Sequence, residues 1–131
     1  MFQKEVGHRI ISKPGSKVYG ILSVLTQFYY EGSLVMDIPP EAFDPPPKVD
    51  STVIQLVHHD RYIHQVNFKQ LKRVVKQAFS QRRKMLRNTL KSYFVDKEIL
   101  NQAIFANRPE HLSVQDFIDI TKQIENQKNE S

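Results

Sequence analysis

The sequence predicts an α+β chain, with short helices and a β-hairpin in residues 1–58 and an all-helical segment in residues 59–131. Three observations predict it. Apolar residues Ile21, Leu22, Val24, Leu25, Phe28 and Tyr29 recur at helical spacing. Two runs rich in β-branched residues, LVMDIPP and STVIQLV, flank the breaker-rich stretch EAFDPPPKVD. Helical periodicity resumes after HHDRYIHQ, which marks the boundary between the two parts.

Taken in order, FQKEVGHRIISK reads as the end of a strand entering a short helix, broken by Pro14-Gly15. The helix across Tyr19–Tyr30 is expected to stop at Gly32. Strands at 34–38 and 52–57 are joined by a loop in which Pro45 to Pro47 hold the backbone near polyproline II and lack amide donors. That loop is stiff without pairing in a sheet. It either presents a side chain or serves as a plain connector between antiparallel strands. Asn67 is placed to cap a helix running to about Phe94, with Phe68, Leu71, Val74, Val75, Ala78 and Phe79 as its apolar stripe. A second helix is expected over Asp96–Ala106, and Asn107-Arg108-Pro109 then turns the chain. Ser113 with Asp116 forms a capping box for a third helix carrying Val114, Phe117, Ile118, Ile120 and Ile124. The tail KNES is expected to fray.

At 131 residues, 40% of them hydrophobic, the chain can build one modest core or two pieces sharing an interface. The absence of cysteine excludes disulfides, thiolate metal sites and thiol catalysis, and fits a reducing cytoplasm. Apolar runs of only a few residues and an acidic start argue against a membrane span or a signal peptide. A soluble, cytoplasmic protein with no membrane partner is expected. The net charge of +5 is concentrated: ten of the 19 Lys and Arg lie in residues 61–95, a window without an acid, which leaves nine to face all 14 acids. Such a block attracts polyanions, nucleic acid first and an anionic membrane surface second.

On one continuous helix, Lys72, Arg73, Lys76, Arg83, Lys84, Arg87 and Lys91 fall within an arc of about 120° centred on Lys69, opposite the apolar stripe. Solvated faces usually mix signs, because acids and bases four apart support each other. Nothing offsets the repulsion here, so nucleic-acid contact is preferred to a solvated face or an acidic protein partner. Arg82 is the exception. It lands in the apolar arc, where an unpaired guanidinium is costly. Either the helix breaks near Ser80-Gln81, making Arg82, Arg83, Lys84 and Arg87 a fork of phosphate donors at the start of a new helix, or Arg82 has a structural partner. Phe68 and Phe79 sit at core spacing and do not form a base-stacking platform.

No two of the four glycines, Gly7, Gly15, Gly20 and Gly32, lie within four residues of each other, so neither a dinucleotide turn nor a Walker loop is present. His58, His59 and His64 would need ligands from elsewhere to hold a metal, and no metal site is expected. Asp37-Ile38-Pro39-Pro40 is superficially similar to the D-P-P-Y loop of amino-group methyltransferases. Pro40 takes the aromatic position, so nothing there can stack on a base. No nucleophile–base pair stands out.

Taken together, MFQKEVGHRI, YGILSVLTQ, IPPEAFDPPPKVDSTVIQL, AFSQRRKMLRNTL and RPEHLS resemble, in order and spacing, the C-terminal half of the small-subunit ribosomal RNA adenine dimethyltransferases. F-x-P-x-P-x-V-x-S followed by F-x-Q-R-R-K-x-L-R-N is the most specific part of the likeness. The resemblance implies a remnant of a Rossmann-like methyltransferase domain in residues 1–58 and a small all-α rRNA-binding domain in residues 59–131. The family's S-adenosylmethionine-binding part and its N-[LI]-P-[YF] loop would lie upstream of Met1. The chain is therefore expected to begin inside the catalytic domain, to hold no catalytic or cofactor-binding residue, and to be inactive alone.

Carried over by position, Phe43 matches the aromatic of the loop that holds the target adenine, with Pro45 and Pro47 as its stiff mount. Arg82, Arg83, Lys84 and Arg87, flanked by Lys76 and Lys91, match the basic motif that would lie on small-subunit rRNA within the assembling subunit. The competing reading is a free-standing RNA-binding or assembly module without chemistry. Strands 34–38 and 52–57 would also lack the rest of their sheet, so a non-native dimer through their exposed edges is expected in concentrated solution.

Overall fold

Gly7 fixes how the start of the chain packs. A computed structural model describes residues 1–129. In it, Phe2–Gln3 (β1) enters a helix at Lys4–Ile11 (α1), whose Gly7 lies so near the sheet that a Cβ would fall 2.1 Å from Thr52 Cγ2. Only a residue without a side chain fits there. Helix Ile21–Tyr29 (α2) opens at Gly20, whose N–H donates to Ser23 Oγ at 3.1 Å. It turns directly into strand Tyr30–Ile38 (β2), which pairs antiparallel with Ser51–His58 (β3). The sheet order is β1-β3-β2, with an irregularity between Leu34 and Met36.

Two expectations about this half are corrected. The strand starts at Tyr30, not Leu34, and Gly32 stops no helix: it lies inside β2, where a Cβ would meet Ile11 Cγ2 at 2.7 Å. Its bareness serves close approach of α1 to the sheet. The hairpin also gains a third strand, because β1 adds Phe2 opposite Thr52.

In the second half Asn67 caps helix Phe68–Ala78 (α3), its Oδ1 accepting from Lys69 N–H at 2.9 Å. This helix ends far short of Phe94. A 3-10 turn at Phe79–Gln81 interrupts it, and one further helical turn, Leu86–Thr89 (α4), follows. The expected helix over Asp96–Ala106 is instead two 3-10 turns, Lys97–Asn101 and Ala103–Ala106, separated by an extended Gln102. Packing explains the change. Leu100 and Phe105 are both buried, whereas on one α-helix residues five apart point about 140° away from each other.

The last helix, Val114–Asn129 (α5), starts with the expected reciprocal cap: Ser113 N–H donates to Asp116 Oδ2 at 3.0 Å and Asp116 N–H to Ser113 Oγ at 3.1 Å. Of the tail KNES, Lys128 and Asn129 continue this helix, and Glu130 and Ser131 lie outside the described residues.

The mixed α+β class with a small antiparallel sheet holds, but the expected boundary at residue 58 does not divide the core. Tyr19, Val24 and Phe28 are buried in the same cluster as Leu71, Val74, Val75, Phe105 and Phe117. Phe28 meets Tyr29 edge-on at 4.9 Å, and Phe68 at 5.7 Å. Such aromatic pairs are worth about 0.5–1.5 kcal/mol beyond their burial. Helix α2 thus packs on α3 as well as on α1. Among the described residues no helix is long and apolar enough to cross a membrane.

Asp37 braces the sheet to α1. Its Oδ1 lies 2.8 Å from His8 Nε2 and accepts from Thr52 Oγ1 at 2.8 Å, with Lys4 Nζ 3.9 Å from its other oxygen. These hydrogen bonds, His8 first and Thr52 second, hold its pKa below the ordinary 3.8. A carboxylate whose folded pKa is depressed stabilises fully above its unfolded value, and that contribution fades as pH falls through the lower folded one. The urea midpoint should therefore drop below about pH 4, and Asp37→Asn should flatten that part of the profile. Gly7→Ala should lower stability by about 1–3 kcal/mol, because Thr52 cannot retreat without moving β3; denaturant melts of the two proteins check this.

Candidate nucleic-acid interface

The break after α3 settles where the cations go. Ser80 Oγ donates to Gln77 O at 2.6 Å, and Lys84 N–H to Gln81 O at 3.0 Å, so the chain folds tightly over residues 79–84. Arg82 is thereby turned out of line with α3. Its guanidinium donates to the carbonyl of Lys17 at 2.8 Å and to that of Tyr19, stands 3.5 Å from Glu110 Oε2, and lies 5.5 Å from the Phe79 ring centre. The two alternatives prove compatible in part: the helix is interrupted near Ser80-Gln81 and Arg82 has a partner, which takes Arg82 out of the expected fork of donors. The backbone reinforces the junction, since Gly15 N–H donates to Glu110 O at 2.7 Å. A cleft of about 530 Å³ beside Arg82 is lined by Arg9, Lys17, Ile21, Leu22 and Phe79 among others.

The single arc of cations does not exist as drawn on one helix. Lys69, Lys72, Arg73 and Lys76 share the exposed face of α3, while Arg83, Lys84 and Arg87 belong to the following turn and α4, and Lys91 to the next turn. Nor does α4 open an anion site at its N-terminus, for its first amides are used within the chain. Leu86 N–H donates to Asn107 O at 2.9 Å, and Asn88 N–H donates to Met85 O at 3.0 Å. What remains is side-chain charge. Lys76, Arg83, Lys84, Arg87 and Lys91 are exposed and form no ion pair or side-chain hydrogen bond among the described residues. Gln77 Nε2 donates to Thr89 O at 3.0 Å and ties α3 to α4, so the charges sit on a fixed support.

Two grooves flank this support. One, of about 390 Å³, runs past Ser80, Gln81, Lys84, Lys91 and Ser92. The other, of about 530 Å³, lies between Arg83, Lys84, Met85 and Asn88 on one wall and Asn107, Arg108 and His111 on the other. Sequence reasoning missed the second wall. It treated Asn107-Arg108-Pro109 as a turn alone, although Arg108 belongs to the RPEHLS stretch that carried part of the resemblance. Lys97 was also missed as a clamp: its Nζ donates to Phe94 O at 2.7 Å and to Lys91 O, holding the residue that presents Lys91.

The proline loop is anchored at its base. Ile38 pairs with Ser51, and Lys4 N–H donates to Asp50 O at 2.8 Å. Phe43 is half-buried and closes the 3-10 turn Pro40–Ala42, its N–H donating to Pro40 O at 3.1 Å, while Pro45 and Pro47 are exposed. Of the junction histidines, His59 Nε2 lies 3.0 Å from Gln27 O and His58 Nδ1 lies 3.7 Å from Asp60.

The different settings of Arg82 and Arg83 separate a structural cation from free ones. Arg82→Ala should lower stability by about 2 kcal/mol, the scale of lost charge-assisted hydrogen bonds. Arg83→Ala should stay within about 0.5 kcal/mol of the parent; equilibrium denaturation of both variants checks the contrast.

A family profile described as ribosomal RNA adenine dimethylase matches residues 1–126. Ribosomal RNA small subunit methyltransferase A of Flavobacterium johnsoniae is 46% identical over 125 residues, covering 95% of this chain and 48% of the relative. The protein of that name from Bacteroides thetaiotaomicron is 46% identical over 126 residues, again 95% of this chain and 47% of the relative. The chain thus spans about half the length of the curated relatives it matches. Among solved structures, a dimethyladenosine transferase from Plasmodium falciparum superposes with a TM-score of 0.84 at 22% identity, over 95% of this chain and 55% of that one. The 23S rRNA methyltransferase ErmE superposes with a TM-score of 0.59 at 16% identity, over 94% of this chain and 52% of that one.

Proposed function

Because this chain belongs to the ribosomal RNA adenine dimethylase family, we propose that it is the RNA-holding part of an enzyme that methylates N6 of two adjacent adenines in small-subunit rRNA during ribosome assembly. The observation that carries the reading is the acid-free set of exposed cations Lys76, Arg83, Lys84, Arg87 and Lys91, held without ion-pair partners among the described residues on a support tied by Gln77 and Lys97. Cations kept free of intramolecular partners are available to displace counterions from a phosphate backbone. Contacts of that kind position RNA and leave sequence reading to other groups. Arg82 is assigned a different role, as the strut that holds residues 17–19 against the turn presenting Arg83 and Lys84.

The methyl donor of such a reaction is S-adenosylmethionine, and the described residues do not fit it. Gly7 packs on Thr52, Gly32 faces Ile11, Gly20 lies 3.4 Å under Arg82 as judged from its Cβ position, and Gly15 forms a turn at φ 93°. None of them lies on a glycine-rich strand-to-helix turn where a backbone could approach the donor's amino-acid part. The chain by itself is expected to be inactive, and the contribution of Phe43, Pro45 and Pro47 is to border the position of a target adenine in the complete enzyme. A rigid, twice-anchored loop suits that task because positioning supplies much of the rate in such transfers. The exposed Leu34, Val35, Met36 and Val57 of the sheet suit a surface covered by the rest of the complete protein. Two copies meeting there at high concentration would follow from that exposure.

The chain should bind a structured small-subunit rRNA fragment with an affinity that falls steeply with salt. Replacing Arg83, Lys84 and Arg87 with Ala should cost about 10-fold or more and lower the salt slope by about one per lost contact. Unchanged affinity and slope in that triple variant, measured by filter binding across a salt series, would remove the assignment.

A further inference from the structure

We propose that the groove between Arg83, Lys84, Met85 and Asn88 on one side and Asn107 and Arg108 on the other seats a single unpaired nucleotide of the bound RNA. This rests on the RNA-binding reading above and adds to it a kind of RNA structure. The groove is open to solvent and spans about 530 Å³, room for one base with its sugar and phosphate left outside.

Its chemistry is graded. Arg83, Lys84 and Arg108 supply positive charge, and no acid lines the groove. The Met85 side chain is 37% exposed between the cations. A thioether there offers a soft apolar face that a phosphate ridge has no use for and that a base can lie against. Asn88 is exposed, and its side chain forms no hydrogen bond among the described residues. Asn107 Nδ2 donates to Ile104 O at 3.2 Å and to Ala103 O at 3.4 Å, which leaves only its Oδ1 free to accept, so Asn88 is the groove's unspent amide. Amide groups offer a donor and an acceptor side by side, the pattern that base edges match.

Backbone bonds tie the two walls to each other and brace the far one. Leu86 N–H donates to Asn107 O at 2.9 Å beneath the groove, and His111 N–H donates to Arg108 O at 3.1 Å on the far wall. A continuous A-form duplex presents phosphates and a shallow minor groove, with its bases stacked inside. It could satisfy the cations but offers no unstacked base to Met85 or to the free amide of Asn88. A nucleotide turned out of the stack satisfies all three.

The test uses the full chain and two fluorescent RNA hairpins of identical stem, one continuous and one with a single bulged nucleotide, each of the four bases being tried. Fluorescence anisotropy should show up to about tenfold tighter binding of at least one bulged hairpin, the upper scale of one thioether–ring contact. Asn88→Ala carries no charge change and removes no intramolecular bond, so it should abolish the preference while leaving affinity for the continuous stem and its salt slope unaltered. Met85→Ala should act in the same direction. Equal binding of continuous and bulged hairpins by the parent, or a preference that survives Asn88→Ala, overturns the seat while leaving the RNA-binding reading intact. Failure to bind either hairpin overturns both.

Discussion

The basic turn after α3 is held in place by one guanidinium. Arg82 falls where a straight helix would drive it into the apolar interior, and an unpaired charge there is costlier than the helix bonds lost by breaking. The chain breaks at Phe79–Gln81, and Arg82 satisfies its donors on the carbonyls of Lys17 and Tyr19 and beside Glu110. One residue therefore ends α3, sets the direction of Arg83 and Lys84, and fastens the 17–19 segment to the helical half. Its neighbours are left without partners. Within three consecutive basic residues, structural and free cations are divided by which carbonyls lie in reach.

The same constraint shows what could be read before folding. The amphipathic stripes of α2, α3 and α5, the Asn67 cap and the Ser113–Asp116 box were legible because each depends on residues within one or two turns. The conflict at Arg82 was also legible as a conflict, but its resolution required Lys17 and Tyr19, which no local pattern could bring near. The stretch holding Leu100 and Phe105 was expected as one helix, while burial of both demanded a reset at Gln102. Gly32 was misread for a different reason: a bare residue can mark a stop or a close contact, and only Ile11 distinguishes them.

The cationic surface was legible in outline and not in shape. Counting charges in residues 61–95 found the polyanion-binding character, and motif order assigned it to a family that the comparisons support. The wall formed by Asn107 and Arg108 escaped because it returns to the basic turn only through the bond from Leu86 N–H to Asn107 O. Surface chemistry assembled from distant segments is the part of a site that sequence order hides.

The seam of Phe28, Tyr29 and Phe68 has a practical corollary for anyone cutting and joining such proteins. A chimera spliced at residue 58 would strip α2 from the helices that cover it, baring Phe28 on one fragment and Val74 and Val75 on the other. A transplantable unit would have to carry α2 along with everything downstream, and the hairpin would then travel as a loop inserted between its first and second helices. In architectural terms the β2–β3 hairpin is the insert and the helices from α2 onward are the host.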